Sequence, residues 1–248
     1  MSKAERTRET IDARGPLVMP GVFDALSARI AARTGFEVLF VSGYGVAATR
    51  LGLPDFGYLT APEIVAAATA ICESAGAVPV IVDADTGYGN ALNVRRTVRD
   101  LIRAGAAGIV LEDQVWPKRC GHMQGKQVIA VEEQVAKLRA AREAAGDEDL
   151  FIVARTDARA PLGLDAAIER ALAYREAGAD ATFVEAPRSL EELAEIARRV
   201  PGRKLANMVE RGLTPLLTPA ELGAIGFDMI VHPLTALYAA TRPMTEQL

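Results

Sequence analysis

The sequence predicts an α/β protein whose eight parallel strands close into a single-domain (β/α)8 TIM barrel over residues 1–248. Its length of 248 residues is close to that of one such barrel, and half of the residues are hydrophobic, which is enough for one large core. Short runs rich in Val, Ile and Phe alternate with longer Ala-rich segments of helical period, as is typical of repeated βα units. Related phrases at 103–110, 175–184 and 223–231 indicate repetition of one structural unit.

The eight predicted strands are short apolar runs bounded by turn residues. They are Leu17–Pro20, Val38–Ser42, Val78–Asp83, Gly108–Glu112, Phe151–Arg155, Ala181–Glu185, Lys204–Asn207 and Asp228–His232. A doubly wound open sheet is the alternative architecture, but it usually has about five or six strands and carries G-x-G-x-x-G after the first strand. Eight strands without that motif favour a closed barrel.

Seven helices are predicted between these strands. They are Ala25–Arg33, Pro62–Ser74, Ala91–Ala104, Val131–Ala145, Leu164–Glu176, Leu190–Arg199 and Pro219–Ala224. Thr60 and Thr218 each precede a segment with Pro and Glu in the first helical turn, which predicts an N-cap. Glycines follow four helix ends, where a left-handed cap favours this residue: Gly105, Gly146, Gly178 and Gly226.

Composition excludes several classes of partner. A net charge of -4, with acidic and basic residues mixed along the chain, does not suit a nucleic-acid-binding surface. The longest stretch free of Asp, Glu, Lys and Arg has 13 residues, too few to cross a membrane, for which roughly 18 are needed. The polar N-terminus and the presence of only two cysteines fit a reducing cytoplasm, so we expect a cytoplasmic protein.

Polar residues end seven of the predicted strands. They are Ser42-Gly43-Tyr44, Asp83 with Asp85, Glu112-Asp113, Arg155 with Asp157, Glu185, Asn207 and His232. Any one of them is equally well explained by contact of a strand end with water. In a barrel, however, the carboxyl ends of all strands meet at one mouth, where active sites form. The set therefore predicts a site at that mouth.

The acidic residues predict a site for a hard cation. Asp83 and Asp85 are two residues apart, so on an extended strand their side chains project to the same side. With Glu112 and with Asp55 from the loop after strand two, they offer only carboxylate oxygens, which suit Mg2+ or Mn2+. A zinc site would need His or Cys clusters, and the chain has two of each.

The segment KRCGHMQGK at 118–126 predicts a mobile loop with a reactive thiol. Lys118, Arg119 and His122 surround Cys120, an electropositive setting that favours the thiolate and acid–base chemistry near neutral pH. Gly121 and its neighbours would let the loop close over an anionic substrate as a lid. The other cysteine lies within an apolar helix and is expected to be a core residue.

Cationic and hydroxyl groups at other strand ends predict carboxylate binding. Arg155 could hold a substrate carboxylate through two parallel hydrogen bonds, and Asp157 is equally suited to orient that arginine. Ser42, Gly43 and Tyr44 offer backbone and hydroxyl donors to a second carboxylate.

These motifs resemble the isocitrate lyase and phosphoenolpyruvate mutase superfamily over nearly the whole chain. The resemblance is carried by PGVFDALSA at 20–28, VSGYGVA at 41–47, LGLPDFG at 51–57, VDADTGYGN at 82–90, LEDQVWPKRCGHMQGK at 111–126, VARTDARA at 153–160, AGADATFVEAP at 177–187 and NMVERGLTP at 207–215. It is strongest to members that cleave 2-alkylmalates and oxaloacetate.

The resemblance implies a role for each site residue. It implies that Asp83, Asp85, Asp55 and Glu112 hold Mg2+ directly or through water. The substrate would be bound by Ser42, Gly43, Tyr44, Gly121, Arg155, Glu185 and Asn207. The expected catalytic residues are Cys120, Arg155, Lys118 and His122, with Cys120 protonating the enolate that cleavage leaves.

Three activities and one non-catalytic role remain open under this resemblance. A magnesium-dependent carbon-carbon lyase for a small dicarboxylate is favoured, since Tyr238 stands where 2-methylisocitrate lyases carry an arginine, and phosphonate-cleaving members lack KRCGH. A 2-methylisocitrate lyase, a phosphonopyruvate hydrolase or mutase, and a non-catalytic carboxylate-binding barrel are the alternatives.

Two features depart from the pattern of the superfamily. Arg211 stands where relatives commonly have Gly, so it adds a cation near strand seven. Members form homo-oligomers, dimers or tetramers, that exchange a helix after strand eight. Here residues 234–248 leave room for only part of an eighth helix, which would be truncated or exchanged between subunits.

Overall fold

The computed structural model describes residues 1–248 and contains a closed barrel in which eight parallel strands follow one another in chain order. The strands are β1 Leu17–Val22, β2 Leu39–Val41, β3 Val80–Asp83, β4 Gly108–Glu112, β5 Phe151–Thr156, β6 Ala181–Val184, β7 Arg203–Asn207 and β8 Met229–His232. The predicted TIM barrel is confirmed, because all eight strands occur with ends shifted by at most two residues and β1 pairs with β8.

Eleven helices surround the barrel. They are α1 Lys3–Arg14, α2 Ala25–Arg33, α3 Gly43–Val46, α4 Ala61–Ala75, α5 Ala91–Arg103, α6 Val131–Ala145, α7 Arg159–Leu162, α8 Leu164–Glu176, α9 Leu190–Arg199, α10 Pro219–Ile225 and α11 Thr235–Gln247. All seven predicted helices are present, and α1, α3, α7 and α11 are additional. A short π-helical turn occupies Ala47–Leu51, and a short 3-10 turn occupies Gly146–Glu148.

None of the helices is long and apolar enough to cross a membrane.

The eighth outer helix is formed. The helix α11 has 13 residues, and only Leu237 of them is buried. Most of this helix lies exposed on the barrel surface, and whether it is truncated relative to relatives or exchanged between subunits stays a prediction.

The predicted helix caps are confirmed. Thr60 and Thr218 each form a capping box with the Glu three residues later. The four glycines predicted to follow helix ends all have a positive φ, between 53° and 110°.

Alternate residues of each strand pack on opposite faces of the barrel wall. One set fills the barrel interior and includes Met19, Phe40, Ile81, Phe151 and Phe183. The other set packs against the helices. Because the interior is a packed core, the only place for a polar site on this axis is the mouth where the strands end.

Candidate active site

A cavity at the carboxyl ends of the strands collects most of the predicted site residues. Its walls include Ser42, Tyr44, Asp55, Asp83, Cys120, Gly121, His122, Arg155, Glu185 and Asn207. The cavity has a volume of about 50 Å³, where roughly 10–15 Å³ holds one water molecule. It therefore accepts only a small ligand in the closed arrangement described below.

Asp83 and Asp85 lie together, but not on one extended strand as the sequence suggested. The strand β3 ends at Asp83, and Asp85 has a φ of 47°. The side chain of Asp83 folds back so that its Oδ1 accepts a hydrogen bond from the backbone N–H of Asp85 at 3.2 Å. A Cβ atom on Gly43 would lie 2.9 Å from Asp83 Oδ2 and 3.6 Å from Asp85 Oδ1, so the close approach of these carboxylates requires glycine at this position.

The ammonium group of Lys118 lies among the acidic residues. Its Nζ is 2.6 Å from Asp55 Oδ1 and 2.8 Å from Asp85 Oδ1, and all three side chains are buried. In this arrangement no three acidic, His or Cys side chains of the chain form a ready ligand shell for a metal ion. Lys118 therefore supplies positive charge at the place where the sequence predicted a divalent cation.

The carboxylates of Asp83 and Glu112 have too few positive charges and hydrogen-bond donors around them. Burial and the charge of Asp85 raise the pKa of Asp83 to about 6. Burial raises the pKa of Glu112 well above its usual range, and neither of its carboxylate oxygens has a hydrogen-bond partner. Asp85 Oδ1 also lacks a partner with hydrogen-bond geometry. Buried oxygen ligands without partners fit a divalent cation such as Mg2+.

Tyr88 contacts this acidic group and was not predicted from the sequence. Its hydroxyl donates a hydrogen bond to Asp85 Oδ2 at 3.0 Å, and its ring packs edge-on against Trp116. This contact fixes one oxygen of Asp85 and leaves the other facing Lys118.

Arg155 is held by Asp157, as one of the two sequence hypotheses proposed. Its Nε and Nη2 donate to Asp157 Oδ2 and Oδ1 at 2.8 and 3.0 Å, while its Nη1 lies 3.3 Å from Glu112. The guanidinium also lies over the ring of Phe183. Because Asp157 takes the paired hydrogen bonds, only the remaining N–H groups of Arg155 are left for a ligand, and binding of a substrate carboxylate by this residue stays a prediction.

Asp113 anchors this arrangement from behind. Its carboxylate accepts hydrogen bonds from the backbone N–H of Asp157 at 2.9 Å, from Thr156 Oγ1 at 2.7 Å and from Tyr174 OH at 2.8 Å. Arg170 donates a further bond at 3.0 Å. Burial and the charge of Asp157 raise the pKa of Asp113, and the hydrogen bonds oppose this rise. The four donors keep the end of β5 in one position.

The segment 118–126, which we call the lid, lies closed over the cavity. The backbone N–H of Cys120 donates to Asp55 O at 3.0 Å. The side chain of Gln114 accepts from the N–H of Arg119 and donates to its carbonyl, at 3.0 and 2.8 Å. A Cβ on Gly121 would lie 2.6 Å from Arg155 Nη2, so the lid backbone touches the floor of the site.

The prediction that Cys120 is a thiolate is wrong for this closed lid. Burial and the charge of Asp55 raise the pKa of the thiol to about 11. The backbone N–H of His122 and the charge of Lys118 oppose this effect but do not outweigh it, because Lys118 is paired with two carboxylates and Arg119 points to the carbonyl of Gln124 at 3.2 Å. At neutral pH the sulfur therefore carries its proton and can act as a proton donor.

His122 connects the lid to two walls of the cavity. Its Nδ1 accepts a hydrogen bond from the backbone N–H of Leu213 at 2.9 Å, and its Nε2 lies 3.2 Å from Glu185 Oε1. Burial alone would raise the pKa of Glu185, but Arg155 and His122 outweigh it and hold that pKa well below its usual range. Asn207 donates to the same carboxylate at 3.3 Å, while its own Oδ1 has no partner.

Arg211 adopts a backbone conformation that favours glycine. Its φ is 65°, in the left-handed region, and its side chain is exposed. The next residue, Gly212, lies so close to His122 that a Cβ there would be 2.8 Å from the imidazole ring. The added cation thus lies at the rim, beside the lid.

Comparisons with known proteins agree with this architecture. The family model described as phosphoenolpyruvate phosphomutase matches residues 8–248. The chain is 58% identical to the chloroplastic carboxyvinyl-carboxyphosphonate phosphorylmutase of Arabidopsis thaliana over 98% of this chain and 73% of that protein. It is 50% identical to the 2,3-dimethylmalate lyase of Eubacterium barkeri over 99% of this chain and 85% of that protein.

Solved structures give the same result. A structure of oxaloacetate acetylhydrolase with 3,3-difluorooxalacetate superimposes with a TM-score of 0.95, at 38% identity over 99% of this chain and 84% of that chain. A match of this extent to a family model, together with relatives at 50% identity or more, shows that the chain belongs to the phosphoenolpyruvate mutase and isocitrate lyase superfamily.

Proposed function

We propose that residues 1–248 form one catalytic domain that cleaves a carbon-carbon bond next to a carboxylate in a small 2-hydroxy or 2-oxo dicarboxylate, such as a 2-alkylmalate, 2,3-dimethylmalate or oxaloacetate. The observation that carries the proposal is the position of the Cys120 thiol in the same small cavity as Arg155 and a set of buried carboxylates. Cleavage of such a bond leaves an enolate that needs stabilisation and a proton, and these groups supply both.

Asp83, Asp85, Asp55 and Glu112 are the residues that would hold Mg2+, or Mn2+, directly or through water. A bound divalent cation would stabilise the negative charge that develops on the substrate oxygens. The two oxygens of Glu112, which have no hydrogen-bond partner, support this assignment. For this role Lys118 must give up at least one of its two carboxylates.

The substrate would be bound through its carboxylates. The remaining N–H groups of Arg155 serve one carboxylate, and the hydroxyl of Ser42 with the backbone at Gly43 and Tyr44 serves the second. Ser42 Oγ already accepts a bond from Gly45 N–H at 3.1 Å, so its hydroxyl proton is free to donate. The small cavity excludes bulky acids.

Proton delivery is the step assigned to Cys120. The bond between two substrate carbons breaks, and its electron pair passes into the enolate of one fragment. The thiol then gives its proton to the enolate carbon, and the resulting thiolate is reprotonated from solvent when the lid opens. When the substrate is a 2-hydroxy acid, its hydroxyl group loses its proton to solvent and the other fragment leaves as an oxo acid, whereas cleavage of oxaloacetate consumes one water molecule as a co-reactant.

Two alternative reactions follow from the relatives. The Arabidopsis relative at 58% identity is named for phosphonate chemistry. A relative from Aeropyrum pernix, 48% identical, is named 2-methylisocitrate lyase. Both would use the same carboxylates, so the products of the reaction must decide between them.

The test is turnover with Mg2+ on a substrate panel. The panel comprises oxaloacetate, 2-methylmalate, 2,3-dimethylmalate, 2-methylisocitrate and phosphonopyruvate, with product identified by mass spectrometry. We expect carbon-carbon cleavage of a dicarboxylate and its loss in excess chelator. Preferred cleavage of 2-methylisocitrate or of a phosphonate would replace the proposal with the corresponding alternative, and no turnover of any compound would favour a carboxylate-binding barrel.

We further propose a cytoplasmic homo-oligomer. Both cysteines are free, which fits a reducing compartment. An apolar groove of about 480 Å³ runs between α2 and α11 beside the exposed side chains of Leu26 and Ile30, a surface suited to contact between copies. Light scattering coupled to gel filtration tests this, and a monomer at micromolar concentration would contradict it.

A further inference from the structure

Lys126 is a buried lysine at the end of the lid to which the proposed function gives no role. Its Nζ donates hydrogen bonds to Asp157 Oδ1 at 2.7 Å and to the carbonyl oxygen of Gly121. The side chains of Lys126 and Asp157 are 1% and 0% exposed. An ammonium without water must keep its anionic partner, so this pair fixes the distance between the lid and the end of β5.

Asp157 is shared between Lys126 and Arg155. The same carboxylate that receives the lid ammonium accepts the paired bonds of the arginine at 2.8 and 3.0 Å. Asp113 holds the backbone N–H of Asp157 at 2.9 Å. Asp157 is therefore fixed to the barrel wall, and Lys126 reaches it in the closed position of the lid that the structure shows.

The second contact of Lys126 acts on the other end of the lid. Gly121, whose carbonyl accepts from Lys126, follows Cys120 directly and lies against Arg155 and Glu185. One ammonium thus links the tip of the lid, which carries the thiol, with the carboxylate that orients the arginine.

We propose that Lys126 is a positioning residue that holds the lid closed and couples its closure to the orientation of Arg155. With the lid closed, Lys126 neutralises part of the charge of Asp157, and the guanidinium is freer to bind a substrate carboxylate. With the lid open, Arg155 alone neutralises the charge of Asp157. The inference rests on the proposed function only in giving Arg155 a carboxylate to bind.

The chain offers a matched control at the opposite end of the barrel. Lys204 is also buried, and its Nζ contacts the carbonyl of Gly202 and lies 3.7 Å from Asp228. Lys204→Met removes a buried ammonium with the same kinds of partner, far from the lid. This variant therefore measures the effect of losing a buried charge without any change in the lid.

The first experiment measures the alkylation rate of Cys120 by iodoacetamide, with the labelled cysteine identified by mass spectrometry. We expect Lys126→Met to speed alkylation by about tenfold, which corresponds to a change of about 1.4 kcal/mol in the free energy of lid opening. We also expect oxalate to protect the thiol less in this variant than in the wild type. Lys126→Arg, which keeps the charge, should stay near the wild type, as should Lys204→Met. Loss of a nearby cation by itself would slow alkylation, since it disfavours the thiolate.

The second experiment uses steady-state kinetics on whichever panel compound is turned over. Lys126→Met should lower kcat by about tenfold and raise KM less, because closure and not initial capture is impaired. Wild-type alkylation in Lys126→Met, equal acceleration in Lys204→Met, or no difference between the Met and Arg variants would overturn the inference. Absence of turnover would contradict the proposed function alone, since the alkylation assay needs no substrate.

Discussion

The Cys120 thiol has a pKa raised to about 11 by burial and by Asp55, so it carries its proton throughout the neutral range. We predict that Cys120→Ser lowers kcat by about 10²–10⁴, because a hydroxyl is a weaker acid than a thiol, while KM changes by a few-fold. Steady-state kinetics on the preferred substrate provide the measurement. Cys72→Ala is the control, since this buried cysteine lies within α4, away from the cavity. Unchanged kcat in Cys120→Ser would remove the thiol from the mechanism.

Arg211 permits a test of backbone strain. A non-glycine residue in the left-handed region destabilises the folded chain by about 1–2 kcal/mol. Glycine removes this strain, but it also gives the unfolded chain more conformational entropy, which offsets part of the gain. We predict that Arg211→Gly raises the free energy of unfolding by about 0.5–1 kcal/mol, measured by urea denaturation. Arg188→Gly, at an exposed position without a positive φ, should not stabilise the protein. A lower stability of Arg211→Gly would mean that its side chain makes a stabilising contact.

At the scale of elements, α1 is fastened to the barrel by Arg8. This guanidinium binds Asp149 at 2.8 and 2.9 Å and Asp180 at 2.9 Å. The hydrogen bonds from Arg8 lower the pKa of Asp149 to about 2. Because the folded chain binds this proton less readily than the unfolded chain, the stabilisation is complete above about pH 4 and is lost as the pH falls towards 2.

We therefore predict that Arg8→Met lowers the free energy of unfolding by roughly 1–2 kcal/mol at pH 7, allowing for solvent screening of this partly exposed pair. The difference from the wild type should shrink as the pH is lowered below 4. Urea denaturation over this pH series measures it. Arg14→Met is the control, since Arg14 and Glu37 are exposed and 3.4 Å apart, and its effect should be small. A pH-independent difference would show that packing of the Arg8 stem dominates.

The elements that the sequence predicted are those with a strong periodic signal. Every strand and the seven large outer helices were identified, since apolar runs and Gly caps mark them locally. The helix α1 was missed because it buries only Ala4, Thr7 and Ile11, and no apolar stripe stands out in its polar sequence. The helix α11 was expected only as a partial helix, because few residues follow the last strand. Their placement depends on contacts with residues far along the chain.

The same limit applies to the site. Strand ends located Asp83, Glu112, Arg155 and Glu185, because the barrel topology alone brings such residues to one mouth. The pairing of Lys118 with two carboxylates could not be read from the sequence, since it depends on how the lid folds over. That pairing also explains the error about the charge state of Cys120. The sequence shows which charged residues are neighbours along the chain, but not which of them form ion pairs in the folded protein.

At the scale of the whole molecule, the proposed metal site predicts that the protein becomes more stable when the ion binds. A ligand at about 100 times its Kd stabilises a folded protein by about 2.7 kcal/mol, and for a chain of this length each kcal/mol raises Tm by roughly 2–4 °C. We predict that millimolar Mg2+ raises Tm, measured by calorimetry with and without chelator. Asp83→Asn should abolish the rise without lowering Tm in chelator, since it also removes a repulsive charge. An equal rise of Tm in the wild type and in Asp83→Asn would mean that the ion binds at a site that does not include Asp83.

Lys118 belongs to the lid, yet its ammonium lies on the acidic floor between Asp55 and Asp85. Opening the lid thus withdraws one positive charge from a surface that keeps its negative ones. In that open state the floor attracts a small cation and repels a dianion. We therefore expect the metal ion to bind before the organic acid, because the bound ion would neutralise part of the negative charge of these carboxylates.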